Sequence, residues 1–402
     1  MFGLILQIYM TAQHFKIRFS ACYGLLMIGN GVQLPFLPLW LHAKGLSVSQ
    51  IASVVAAMMA VRIIGAPSFA LLADRTGNRR LVIQVCSVLA LLAYMTLPFA
   101  NGFNEILAVS LWGAFFFAPV NPLIEGFGVD ASAALGLDFG RLRLWASISF
   151  LTGSLISGAL LTMLSPLETV WLIADAQVFS VIATFMLPQD PERETLKHHA
   201  SALEFGEAFK FLLASHFTMF LFAASLANSS HGMLYSFSSV YWTSLGFGTF
   251  TIGLLWAAAI VGEVLFFTFS QRFVQAVGVE RLLAIGLFGG IVRWVGTAIV
   301  TNEYMMLALQ MLHGVSFACA HFALMQFIRA HVPANLRNTA QGLYAALAGG
   351  LLLSSVTWMS GPLYENYGGK GFVAMALISA IGLAIAIYYI RTNPKVPGTA
   401  AT

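Results

Sequence analysis

Eight ionisable side chains stand inside long apolar runs of this 402-residue chain: Arg62, Glu125, Asp175, His231, Glu263, Arg293, His313 and His321. Carboxylates and imidazoles exchange protons near neutral pH once their surroundings are tuned. A guanidinium is a natural fork for a carboxylate. A charge at the centre of a bilayer costs on the order of 2.5–3.5 kcal/mol on insertion scales, so such groups face a cavity or a partner. Glu263 is the one charge in WAAAIVGEVLFFTF, residues 256–269. A carboxylate in low-dielectric surroundings holds its proton more tightly, so Glu263 is expected to carry a proton. A static ion pair with Arg293 is the plain alternative. Asp175 lies about two turns from one end of its run and is read as interfacial. His313 and His321 lack a carboxylate or thiol at metal-ligand spacing. No run places a nucleophile beside a base, which leaves a membrane enzyme the least favoured class.

The elements that must position these groups are legible from hydropathy. Hydrophobic residues make up 59% of the chain and charged residues 9%, where soluble domains carry about 25% charged. The apolar residues fall into twelve blocks of bilayer-spanning length, near 18–40, 48–72, 81–100, 105–128, 144–164, 169–188, 211–244, 250–270, 282–301, 304–328, 342–361 and 371–391. Helices satisfy their own backbone in lipid, so the pattern predicts an all-α membrane protein of twelve transmembrane helices. The seventh block contains NSSHG and is expected to be kinked or unwound there. If both termini face the cytoplasm, sixteen of the twenty Lys and Arg lie on inner segments and only Lys44 and Lys370 on outer ones. That bias sets the orientation. It also accounts for the net charge of +4 without nucleic acid. Cys22, Cys86 and Cys319 all fall in spans, at spacings that suit neither a metal site nor disulfides, and are read as packing residues. The apolar FGLILQIYM precedes its positive charges, the wrong order for a cleavable signal peptide. Met10 is an alternative start.

The polar stretch at 189–210 is read as a cytoplasmic linker between two six-helix bundles, 1–188 and 211–402. A shift of 201 residues lays TGNRRL (76–81) on VGVERL (277–282), with Gly77 on Gly278 and Arg80 on Arg281. The same shift places Arg62 on Glu263. Two-fold repeats of membrane helices are the usual construction of secondary transporters, with the substrate site near the midplane between them.

ALLADRTGNRRL (70–81) resembles the loop signature of the major facilitator superfamily. The resemblance implies a conformational latch at Asp74, Gly77 and Arg80. A solvated turn in which Gly77 adopts positive φ is the plain alternative. A narrower resemblance is carried by FFAPVNPLIE (116–125), LDFGRLRLWASISFLTGS (137–154), VYWTSLG (240–246), GLLWAAAIVGEVLFF (253–267), IVRW (291–294) and LQMLHGVSFACAHFALMQFI (309–328). These segments look like the 3-phenylpropionic acid transporter family, itself related to lactose permease. The pattern implies the major facilitator fold and a proton symporter of a small organic solute such as an aromatic monocarboxylate.

By that resemblance Glu263, Arg293 and His313 form the proton-coupling group. The essential glutamate three residues beyond the lactose permease histidine is Ser316 here, which leaves Glu263 as the carboxylate for the proton in that half. The aspartate–lysine pair of lactose permease is also missing. Tyr235 and Gly350 stand at those positions, and the joint loss leaves no orphan charge. Glu125 and Arg143 keep the lactose permease spacing of a sugar-binding pair, and Phe150 stands where a tryptophan stacks on the sugar. Arg62 is read as the fork for a substrate carboxylate, with pairing to Glu125 or Asp175 as its rival. His231, Tyr235 and His321 complete the substrate-facing set. By the 3.6-residue period, His321 is about 80° round the helix from His313 and faces the site less directly.

The leading expectation is proton-coupled import by alternating access. The chain is expected to act as a monomer in a bacterial inner membrane, with protons as coupling ion and no cofactor. Sugars or nucleosides are alternative substrates, and a proton-driven exporter of drugs or metabolites would use the same charges. A non-transporting sensor would be expected to have lost the paired buried charges.

Overall fold

The computed structural model describes residues 2–188, 215–333 and 336–393. Among the described residues there is no β-strand, and twelve helical spans run in sequence. Span α1 is Phe2–Ala43. Span α2 runs from Val48 to Thr76 with an interruption at Val61. Span α3 is Arg79–Thr96, α4 is Gly102–Phe117 continued as Val120–Ala134, α5 is Phe139–Leu160 and α6 is Thr169–Met186. Span α7 is broken into Ser215–Ser229 and Gly232–Ser244. Then follow α8 (Thr249–Val277), α9 (Val279–Ile299) and α10 (Glu303–Met311, Gly314–Cys319 and Ala320–His331). Span α11 comprises Arg337–Tyr344, Ala345–Leu352 and Leu353–Tyr367, and α12 is Phe372–Thr392. By length and hydropathy alone nine stretches among the described residues qualify as spans, one of them a 54-residue run that holds both α11 and α12. The polar α5 and the broken α7 escape that criterion.

Local chemistry sets the ends. Ser47 and Gln50 form a reciprocal capping box at the start of α2. Asn78 caps α3 through the Leu81 amide at 3.1 Å, and Asp138 caps α5 through the Gly140 amide at 2.9 Å. The repeat seen in sequence has a structural counterpart: Gly77 and Gly278 both take positive φ, 59° and 83°, in the short turns that lead into α3 and α9. Span α7 breaks at Ser230–His231, inside NSSHG. Spans α10 and α11 each contain a π-helical turn, at Gly314–Cys319 and Ala345–Leu352. The hydropathy pattern did not reveal these wide turns.

Two compact units are defined by contact. The first holds Met1–Ala200 with Leu234–Ala257 and Thr357–Glu365, and the second holds Ser201–Met233, Ala258–Val356 and Asn366–Thr402. The linker read at 189–210 lies outside the described residues. Within the first unit, segments from the two halves of the sequence interlock. Ser154 Oγ donates to Gly253 O at 3.1 Å and Thr249 Oγ1 to Gly158 O at 2.9 Å. Ser49 Oγ donates to Glu365 Oε2 at 3.1 Å, and the Phe237 and Tyr364 rings stack at 4.7 Å. Glycines make these close approaches: a Cβ on Gly253 would stand 2.5 Å from Ser154 O. Cys22, Cys86 and Cys319 are free and buried.

Candidate functional site

The second unit buries a guanidinium. Arg293, on α9, has no exposed surface. Its Nη1 donates to His231 Nε2 at 3.2 Å, His313 Nδ1 at 2.9 Å and Ser316 Oγ at 3.1 Å. Its Nη2 donates to Gln310 Oε1 at 2.8 Å. The break in α7 delivers His231, while α10 supplies Gln310, His313 and Ser316. The guanidinium also lies 4.5 Å from the centre of the Trp294 ring, whose Nε1 donates to Ser230 Oγ at 3.0 Å. A buried cation requires such a shell, because lost hydration must be replaced by oriented acceptors.

Donor and acceptor roles assign the histidine tautomers. A guanidinium has no acceptor, so both imidazole nitrogens facing Arg293 present lone pairs. His231 Nδ1 therefore carries the proton that it donates to Ala227 O at 3.1 Å and Asn228 O at 3.2 Å. His313 carries its proton on Nε2, which lies 3.7 Å from Glu263 Oε2. That separation is too long for a hydrogen bond and closes with a shift of under about 1 Å. His313 stands between Glu263 and Arg293, one nitrogen toward each. A second proton on His313 would sit on Nδ1 and face the Arg293 N–H, so it can be added only if Arg293 moves.

Backbone contact holds Glu263 near His313. Spans α8 and α10 cross where a Cβ on Gly262 would overlap the Met311 carbonyl, and one on Gly314 would overlap the Gly262 carbonyl. No side-chain motion relieves a clash with backbone. Gly262→Ala should therefore part the helices and lower stability by about 1–3 kcal/mol. Gly342→Ala, where a Cβ meets nothing within 4 Å, is the control. Thermal unfolding in detergent checks both, and equal midpoints for the two variants would refute the crossing argument.

His321 is less remote from the site than its spacing suggested. The His313, Phe317 and His321 rings form one stack, at 4.9 and 5.8 Å with interplanar angles of 4° and 8°. The offset of about 80° assumed an unbroken α-helix. The π turn takes up an extra residue, so eight residues close two turns.

The first unit contains a cavity of about 660 Å³ lined by α1, α2, α3, α4 and Tyr235. Arg62 opens onto it just after the interruption in α2. Tyr94, beside it, accepts a hydrogen bond from Gln33 Nε2 at 2.9 Å. Leu34, Leu37, Val55, Met58, Met59 and Phe117 supply apolar walls. Among the described residues no carboxylate makes an ion pair with Arg62. The expected Glu125–Arg143 pair is present, at 3.8 Å with both side chains about half exposed. Tyr23 joins it by donating to Glu125 Oε1 at 2.5 Å. Neither Glu125 nor Arg143 lines the Arg62 cavity, and Phe150 does not either. Phe150 contributes its backbone carbonyl to the close approach of Gly31. His231, grouped with the substrate-facing residues from sequence, is held against Arg293 by the α7 break.

At the α2–α3 loop, Gly77 adopts the left-handed conformation and Asp74 is exposed. Arg80 Nη2 donates to Phe185 O at 3.2 Å. The ion pair of this loop is Arg79–Asp130, at 2.7 Å. Sequence reasoning missed it, along with Gln310, Tyr23 and Tyr94. Gln310 alone left a signal, three residues before His313 and so on the same helical face.

This arrangement of helices defines a multi-pass membrane transporter of the major facilitator type. Residues 16–374 match the MFS_1 like family, and the chain belongs to it. It is 28% identical over 358 residues to a probable 3-phenylpropionic acid transporter of Escherichia coli, covering 87% of this chain and 91% of that one. It is 23% identical to a maltose permease of Geobacillus stearothermophilus, covering 92% and 93% of the two chains. Among solved structures, the nucleoside transporter NupG superposes with a TM-score of 0.81 at 16% identity, covering 95% of this chain and all of that one. A D-xylose-proton symporter gives 0.72, also at 16% identity, covering 96% and 99%. At that identity the two structures establish the fold alone. The Escherichia coli and Geobacillus stearothermophilus relatives are both bacterial proteins named for transport.

Proposed function

We propose that the chain is a proton symporter that imports a small aromatic monocarboxylate by alternating access, with both termini in the cytoplasm. One observation carries the substrate class: among the described residues lining the 660 Å³ cavity, Arg62 is the one charged side chain, set in apolar walls. A guanidinium in that setting favours an anion, and its planar fork matches a carboxylate. The apolar side chains beside it suit a phenyl ring. The name of the Escherichia coli relative points to the same substrate class.

Proton coupling is assigned to Glu263, His313 and Arg293. Glu263 binds the proton, His313 relays between carboxylate and guanidinium, and movement of Arg293 toward or away from the pair changes proton affinity.

Arg62→Gln tests the reading. Hydrogen bonds to charged groups contribute roughly 1.5–3 kcal/mol, so binding of 3-phenylpropionate should weaken about tenfold to a hundredfold. Binding of its amide should change little. Titration calorimetry on purified protein measures both, and equal losses for acid and amide would show that Arg62 acts structurally.

A further inference from the structure

Asp175 presents a charge to the bilayer. It is an exposed residue of α6. It lines a lateral groove of about 650 Å³ between α5 and α6, floored by Ile28 and Val32 of α1. The flanking side chains are apolar and outward-facing: Ile156, Leu160 and Phe179 are 55%, 42% and 45% exposed. Among the described residues no ion pair involves Asp175. The two hydroxyls on the groove already donate within their own helix, Thr152 to Ile148 O and Ser157 to Gly153 O. A lipid-facing carboxylate is costly, and its partner is the question it raises. An aspartate side chain is too short to carry its charge far along the helix.

Depth narrows the partner. Trp171, one turn before Asp175 and 43% exposed, packs edge-on against Phe99 at 5.8 Å. Exposed Trp and aromatic residues mark the headgroup level of a bilayer. Four residues of helix place Asp175 about 6 Å deeper, near the base of the headgroups. Glu168, which caps the turn before α6, adds a second negative charge at that end.

The geometry points to a binding site for a phospholipid with a primary ammonium headgroup, its ammonium on Asp175 and one acyl chain in the groove over Phe179 and Ile156. Charge decides against an anionic headgroup. Ser157 is buried and the Thr152 proton is committed to Ile148 O, so the groove offers acceptors, Asp175 foremost, which favours a headgroup with N–H donors over a quaternary one. The site is separate from the Arg62 cavity and does not depend on the transported substrate.

The test uses the full chain in nanodiscs of phosphatidylethanolamine or phosphatidylcholine with identical acyl chains. Native mass spectrometry should show phosphatidylethanolamine retained about tenfold better than phosphatidylcholine, the range of one charge-assisted hydrogen bond. Asp175→Asn, nearly isosteric, should abolish that preference. The mono-, di- and trimethylated ethanolamine headgroups should lose retention stepwise on the wild-type protein, a readout that needs no variant. An equal preference in Asp175→Asn, or no decline along the methylated series, would overturn the assignment. Equal retention of both lipids by the wild type would overturn it as well.

Discussion

Glu263→Gln should abolish proton-driven accumulation of substrate while leaving substrate-for-substrate exchange at least partly intact. The variant mimics a permanently protonated carboxylate. Return of the empty carrier requires proton release, which glutamine cannot perform, whereas exchange needs no release. The effect should be nearly all-or-none because no other carboxylate replaces Glu263: the position that carries the essential glutamate in lactose permease is Ser316, which here accepts from Arg293 at 3.1 Å. The glutamine amide keeps a comparable size beside His313, so the fold should be preserved. Uptake and counterflow in proteoliposomes decide the matter. Accumulation at wild-type level would remove Glu263 from the proton pathway and move the proton to His313 or Glu125.

Arg293→Met should be the most destabilising of the single substitutions considered. It withdraws the donor from His231 Nε2, His313 Nδ1, Gln310 Oε1 and Ser316 Oγ at one stroke. A buried acceptor left unsatisfied costs about 1–3 kcal/mol. Even with the imidazoles changing tautomer, a loss of roughly 3 kcal/mol or more is expected. Arg293→Lys should not restore function, because one ammonium cannot reproduce the planar fork that serves Gln310 and both imidazoles. The double variant Arg293→Met with Glu263→Gln should lose less than the sum of the two, since their charges communicate through His313. Thermal unfolding of the four proteins forms the cycle. Strict additivity would mean that Glu263 and Arg293 are independent, and a wild-type midpoint for Arg293→Met would refute the structural role of the shell.

Much of the frame was legible in the chain. Apolar run lengths marked the spans because hydropathy adds along a helix whatever its neighbours are. The 201-residue repeat paired Gly77 with Gly278, and both take positive φ, since a positive φ is a local demand. NSSHG announced the α7 break, because short polar side chains compete for helix hydrogen bonds. Intramembrane charges were conspicuous by their cost.

The groups that meet were less legible. Sequence placed Glu263, Arg293 and His313 on three successive helices of one half but not in their order, with His313 between the other two. That order depends on the glycine crossing at Gly262 and Gly314, a contact between residues far apart in the chain. The π turn in α10 likewise brought His321 into line with His313, against a period that assumed regular helix. Asp130 beside Arg79 and Tyr23 beside Glu125 left no pattern at all. Composition, span positions and the identity of the buried ionisable groups were thus determined by the sequence itself, because each follows from the local cost of placing a residue in lipid or in a turn. Tertiary structure alone decided which nitrogen faces which charge, because that rests on helix crossings and turn widths that no single segment encodes.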